Sequence, residues 1–234
     1  WLPDNRTLAY LAFRTDDNNE TVTSIIWLLD IDSGEATPFT QLVETNYALD
    51  PSLSPDGRTM SLTSRRNGNA DVMTIDMTNG ETTLLTTNTS ADGNAAWSPD
   101  GRFISFESWR DGNYELYIMN SDGTGRRQLT NNTQDDMTPR WSPDGETILF
   151  RSHRNSMFNL YLLEPDTGRV QQLTNDSAVQ AHYNWSPDGR YIVYWEITQN
   201  QSRLALMSIN DGVIRYLISD ATETPLRPPA WRPQ

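Results

Sequence analysis

Short apolar alternations recur along the chain, and no stretch sustains a helical stripe. Met60/Leu62, Ile104/Phe106, Ile148/Phe150 and Ile192/Tyr194 each place two large residues two positions apart, and Leu8/Tyr10 repeat the pattern near the start. Period-two placement of β-branched and aromatic residues predicts half-buried strands. After a polar turn such as RRNGN (65–69) or WRDGN (109–113), a second strand is predicted at DVMTID (71–76), ELYIMN (115–120), NLYLLE (159–164) and RLALMS (203–208). Another turn leads to a third strand, RRQLT (126–130) or VQQLT (170–174). A looser acidic and Asn-rich segment then runs into TPRW, HYNW or PPAW as a fourth.

The alternations are phased by one string. Trp-Ser-Pro-Asp-Gly stands at Trp97, Trp141 and Trp185, nearly again at Leu53, and as WLPDN at Trp1. With Trp231 as the last mark the steps are 52, 44, 44, 44 and 46 residues, near the ~40–45 residues of a four-stranded propeller blade. The string itself is turn chemistry. Pro fixes φ near −65°, Asp tolerates the next position while bonding locally, and Gly takes the left-handed conformation. It offers no base, nucleophile or paired acid. The preceding Trp is placed to fill the wedge between neighbouring blades.

The run from Trp97 to Asn132, WSPDGRFISFESWRDGNYELYIMNSDGTGRRQLTNN, resembles the WD40-like repeat of TolB-type β-propellers almost throughout. The copies at 53 and 141 match well, the one at 185 less so, and the first only at 1–5. The fold expected is all-β: a single propeller domain over 1–234 with repeats starting near 1, 53, 97, 141 and 185. The chain begins and ends at the same point of the repeat. This predicts five blades, with the strand at 225–231 completing the blade that begins at TLAYLAF (7–13) and so removing free edges. Because the family's rings usually have six blades, a piece of a larger ring is the alternative. The resemblance implies a periplasmic or extracellular bacterial setting and a role in envelope complexes.

Composition narrows the chemistry. The 234 residues carry a net charge of −13, with 8 Trp, 9 Tyr and no Cys, and mean hydropathy is −0.65. That charge repels phosphate backbones, which argues against a nucleic-acid partner and favours basic peptides or metal ions. Absent cysteine removes disulfides, thiolate catalysis and Cys-based zinc sites. The longest apolar run, near Ile25–Leu29, is far short of the ~20 residues that span a bilayer. There is no G-x-S-x-G nucleophile elbow, P-loop or dinucleotide fingerprint. DDNNE (16–20) and SDGTG (121–125) hold parts of a calcium loop without its full spacing, so no cofactor is expected, a channel calcium ion being the alternative. Sequons at Asn5, Asn88, Asn131 and Asn175 arise easily in turns this rich in Asn and Thr.

Blade connectors and WRDGN-type loops are expected to surround one mouth of the channel. The connectors hold Glu44, Asp92, Asp135, Asp136, Asp176, Asp220 and Glu223. The loops hold an arginine thirteen residues past the mark, at Arg14, Arg66, Arg110 and Arg154, with Thr198 breaking the pattern in the fifth copy. Two readings stand: inter-blade salt bridges that pin the loops, or a charged mouth that clamps a peptide or polar ligand. Trp109 occupies a slot held elsewhere by Arg65 and His153, so the repeat gives it no core role. Trp27 and Trp195 fall inside strands, and Tyr47, Tyr183 and His182 approach the channel strand. The function expected is a non-catalytic scaffold for a protein or peptide. Alternatives are a glycan- or metal-dependent lyase or hydrolase site on the channel face, and a sensory or gating module of a larger protein. The sequence leaves oligomeric state open.

Overall fold

A computed structural model describes all residues except 16–21, 45–48, 66–67, 155–156, 176–178, 199–200 and 222–234. Among the described residues the strands form five antiparallel sheets, and outside them Arg154 lies in a 3-10 turn. The first has three described strands, β1 (Thr7–Thr15), β2 (Val22–Asp30) and β3 (Ala36–Glu44). The second is β4 (Leu49–Leu53), β5 (Thr59–Ser64), β6 (Asp71–Asp76) and β7 (Thr82–Leu84). The third is β8 (Asp92–Trp97), β9 (Phe103–Ser108), β10 (Glu115–Asn120) and β11 (Arg127–Gln128). The fourth is β12 (Asp136–Trp141), β13 (Ile148–Ser152), β14 (Asn159–Leu163) and β15 (Val170–Gln172). The fifth is β16 (Val179–Trp185), β17 (Tyr191–Ile197), β18 (Ser202–Ser208) and β19 (Ile214–Ala221).

These are the five predicted blades, each strand hydrogen-bonded to the next in chain order. The strand at 225–231 expected to complete the first lies outside the described residues. The chain falls into two compact units, Trp1–Gln128 with the first three blades and Leu129–Gln234 with the last two. No helix among the described residues is long and apolar enough to cross a membrane.

The repeated tryptophan does fill the wedge. In the first unit Trp97 packs against a cluster that joins Val72 and Leu85 of blade 2 to Ile104, Phe106 and Met119 of blade 3. In the second, Trp185 lies with Leu149 and Leu160 of blade 4 and with Tyr194 and Met207 of blade 5. Its indole N–H donates to the Arg140 carbonyl at 3.3 Å.

The Ser-Pro-Asp-Gly turn closes through its serine. In blade 3 the Ser98 hydroxyl donates to Asp100 at 2.7 Å and accepts from the Phe103 N–H at 2.9 Å, while Asp100 accepts from the Arg102 N–H at 3.0 Å. Ser54, Ser142 and Ser186 repeat this pattern. The first copy has Leu2 in the serine position, and Asp4 compensates by accepting directly from the Arg6 and Thr7 N–H groups and the Thr7 hydroxyl. Asn5 replaces the glycine there, at φ +53°.

The glycine serves a second purpose. Gly57, Gly101 and Gly189, all near φ +70°, face the proline ring of the preceding copy: Pro3, Pro55 and Pro143. A Cβ on Gly101 would rest 3.6 Å from Pro55, in ordinary contact, whereas one on Gly57 would fall inside the Pro3 ring, 2.8 Å from Cγ. Both substitutions to Ala incur the left-handed penalty of roughly 1–2 kcal/mol. Gly57→Ala adds a clash, so chemical denaturation should show it to be the more destabilising of the two.

The turn carboxylates also set an acid limit. The serine hydroxyl, then the following backbone N–H, hold Asp100 and Asp188 down to about 2, and the same bonds lower Asp56 and Asp144. A carboxyl depressed below its unfolded value of about 3.9 contributes stability above that pH and loses it as pH falls through the folded value. The melting temperature should therefore begin to drop as pH passes below about 4. Ser98→Ala combined with Ser186→Ala should reduce that acid-dependent drop, as measured by thermal melts across the range.

Candidate functional site

At the blade end opposite these turns, connector and loop are joined as expected. The Trp109 N–H donates to the Ala91 carbonyl at 2.9 Å, and the His153 N–H to the Asp135 carbonyl at 3.0 Å. In blade 2, the Asn69 amide donates to the Asn88 and Ser90 carbonyls of the connector to blade 3. These bonds bring the arginine of a loop onto the carboxylate that opens the innermost strand.

Blade 3 shows the arrangement in full. One Arg110 nitrogen, Nη2, lies 3.2 and 3.3 Å from the two Asp92 oxygens, and Nε donates to Ser108 Oγ at 2.8 Å. The guanidinium also stacks over Tyr117, 4.3 Å from the ring centroid. The Asn88 amide completes the carboxylate, and its own oxygen caps the Ser90 N–H. The Asp92 side chain is fully buried, while Arg110 retains 26% exposure. Burial, reinforced by a hydrogen bond to Asp111, raises the Tyr117 phenol well above its ordinary range. Burial first, and the nearby Asp92 charge after it, likewise raises Asp71, against the opposing hydrogen bond from Thr86.

Blade 4 repeats the frame less completely. Arg154 Nη2 lies 2.9 Å from Asp136 Oδ2, which also accepts from Asn132 at 2.8 Å, and the guanidinium stands over Tyr161 at 4.9 Å. Asp136 Oδ1, Arg154 Nε and Ser152 Oγ are buried without a hydrogen-bond partner among the described residues. Their counterparts in blade 3 are satisfied. A crevice of about 480 Å³, lined by Leu129, Asn131, Asn132, Gln134, Arg154 and Val170, opens beside them. In blade 5 the serine and arginine slots are Glu196 and Thr198. Glu196 pairs with Arg203 at 3.5 Å and accepts from the Tyr216 hydroxyl, while Thr198 closes its own turn on Gln201.

Each Arg–Asp pair is thus made within one blade. Trp109 stands 44% exposed on its loop, edge-on to Tyr114 at 4.8 Å, and His153 and Phe158 form the matching ring pair in blade 4. Arg14, Glu44 and Asp220 lie in β1, β3 and β19, where the description covers backbone only; Arg66, Asp176, Glu223 and Tyr47 lie outside the described residues. Among the described residues no three His, Asp or Glu side chains gather as a metal site would need. At the turn end of blades 2 and 3, a crevice of about 650 Å³ is lined by Asp56, Asp76, Glu81, Asp100 and Trp97.

His182 has a role that sequence spacing alone did not reveal. It is left-handed at φ +48°, as are Asp50 (+56°), Asn94 (+50°) and Thr138 (+53°), all three residues before the repeat mark. Each sits where the innermost strand bulges out of register with its neighbour. Groups freed by the bulges bond across blades. The Asn94 N–H donates to Thr63 Oγ1 at 3.1 Å, and the Tyr183 hydroxyl donates to the Thr138 carbonyl at 2.6 Å. The sequence signal was there: Asp, Asn and His at one repeat position are the non-glycine residues most tolerant of positive φ. A bulge is also a common way to aim a side chain at a site.

Comparison with known proteins gives one family. The model described as TolB beta propeller domain matches residues 1–234. The fold resembles that of TolB from Acinetobacter baumannii, with a TM-score of 0.79 and 23% identity over 94% of this chain and 55% of that one. It also resembles a puromycin hydrolase, with a TM-score of 0.75 and 17% identity over 95% of this chain and 37% of the hydrolase. Over 80 residues, 34% of this chain and 12% of the other, it is 32% identical to an uncharacterised peptidase, YuxL, of Bacillus subtilis. The chain therefore spans about half of that TolB and a small part of the peptidase. At these identities the structural likenesses establish the β-propeller fold alone.

The buried pair of blade 3 leads to a stability prediction. Arg110→Ala leaves the Asp92 carboxylate buried without its cation and should cost on the order of 3 kcal/mol. Asp92→Asn combined with Arg110→Met should recover much of that loss. Urea denaturation of the single and double variants checks both.

Proposed function

The chain belongs to the TolB beta propeller domain family, and on that footing we propose that it is a non-catalytic scaffold that binds a protein or peptide at the loop-bearing ends of its blades. The observation that carries this reading is Trp109. A large ring left 44% exposed is held in place by a backbone bond to the connector and by Tyr114 at its edge. Beside it, Arg110 is oriented by Asp92 and Ser108, with part of its guanidinium still open to solvent. Rigid Trp and Arg side chains lose little entropy when covered and dominate binding hot spots. The excess negative charge of the chain favours a basic partner. An extracytoplasmic bacterial setting, where such an envelope partner would be met, belongs to the same proposal.

The test uses the chain as bait against a bacterial envelope extract, followed by titration calorimetry with the protein it captures. Trp109→Ala should weaken binding by on the order of tenfold or more and leave the melting temperature unchanged. Equal binding by the variant would remove the proposed surface. A divalent cation that raises the melting temperature, an effect abolished by Asp136→Asn, would instead support a metal-dependent enzyme built on the propeller.

A further inference from the structure

Blade 3 closes its arginine–carboxylate pair, and blade 4 leaves the same pair open. In blade 3 Arg110 Nε bonds Ser108, and Nη2 reaches both Asp92 oxygens. In blade 4 Arg154 holds Asp136 through Nη2 and Oδ2 alone. Asp136 Oδ1, Arg154 Nε, Ser152 Oγ and the Tyr161 hydroxyl are then buried without a hydrogen-bond partner among the described residues. The four belong to one place. Asp136 and Ser152, both wholly buried, stand opposite each other across β12 and β13, and the guanidinium that bonds Asp136 lies over the Tyr161 ring. Unpaired buried polar groups are costly, and a cluster of them in a native fold marks a missing partner. The crevice of about 480 Å³ lies in front of them. Its wall includes Arg154 and Asn132, and the Asn132 amide also donates to Asp136. Arg154 is 29% exposed and has that single hydrogen bond among the described residues, so it is the part of the wall that gives way to a ligand.

We propose that this crevice binds a primary carboxamide, either a free amide or the side chain of a Gln or Asn. Charge is the first filter. Arg154 is the only charged residue lining the crevice, and Asp136 already neutralises it, so neither a cation nor an anion gains there. Hydrogen-bonding capacity then selects among neutral groups. A primary carboxamide offers two N–H donors and two acceptor lone pairs. Against these stand one obligate acceptor, Asp136 Oδ1, one obligate donor, Arg154 Nε, and two hydroxyls that act as either. A backbone amide carries its one N–H and its C=O on opposite sides of a trans peptide bond, and it cannot turn both toward one wall. Leu129 and Val170 offer apolar surface to the hydrocarbon stem of an amide, where a sugar would have to bury hydroxyls. The proposal concerns blade 4 alone and does not depend on the Trp109 reading in blade 3.

A magnetic-resonance titration of the isotope-labelled chain tests it at the Arg154 Nε–H signal, identified by its absence in Arg154→Lys. Propionamide should move that signal and saturate. Ser152→Ala removes one hydroxyl and leaves the charge pair intact, and it should weaken the binding by about threefold or more with the backbone spectrum otherwise preserved. N-acetylglutamine methylamide, titrated alongside, separates the two sources. Tighter binding than propionamide assigns the crevice to a side chain of a partner, and weaker binding assigns it to a free amide. A signal that propionamide leaves unmoved at every soluble concentration overturns the proposal. So does an equal response to propionate, N-methylacetamide or glucose, or binding that Ser152→Ala leaves unchanged.

Discussion

A single hydroxyl holds each Ser-Pro-Asp-Gly turn of this protein together. The serine of Ser-Pro-Asp-Gly stands between a strand that has just ended and one about to begin, donating to the aspartate and accepting from the first backbone N–H beyond the turn. These bonds supply partners for groups that the ladder leaves open where it reverses. They fix where the next strand starts, and with it which residues face the neighbouring blade. A slip of one residue would exchange the faces. The apolar alternations of Met60/Leu62, Ile104/Phe106 and Ile192/Tyr194 reach the buried clusters because the turn ahead of each is set.

The blades were legible in the sequence for the same reason. Period-two alternation, a turn with distinctive chemistry and a spacing of 44 are local properties, and local properties survive in a single sequence. DVMTID and ELYIMN are strands over the limits expected of them. Trp97 and Trp185, which end innermost strands, pack between blades as their size and position imply. Harder to see were features produced when strands misalign. The bulges at Asp50, Asn94, Thr138 and His182 come from a change of register between neighbours, and the only trace in the order of residues is the recurrence of Asp, Asn and His at one repeat position.

The loop arginines were found by their offset, but their partners were not. An arginine at a fixed place in each repeat says that something recurs, and a row of carboxylates in the connectors suggested a ring of charge. The structure makes separate pairs within blades 3 and 4, and replaces the arrangement in blade 5 with Glu196 and Arg203. Spacing shows that Arg110 and Asp92 recur together as Arg154 and Asp136. It cannot show that the first carboxylate is fully satisfied while the second keeps one buried oxygen without a partner among the described residues. That difference depends on side-chain geometry, and identical residues at identical offsets conceal it.

The contact of three turn glycines with the proline of the copy before gives each unit a direction. Pro3 meets Gly57, Pro55 meets Gly101 and Pro143 meets Gly189, always the earlier ring against the later backbone. A nascent chain leaves the ribosome N-terminus first, so the proline is already in position when its glycine arrives. Within each unit a finished turn is thus a template for the one that follows. The wedge residues act in the same sense, since Trp97 and Trp185 settle against apolar surface that the preceding blade already presents. Within each unit the repeat therefore carries a direction as well as a shape, with blade 2 seated on blade 1, blade 3 on blade 2, and blade 5 on blade 4.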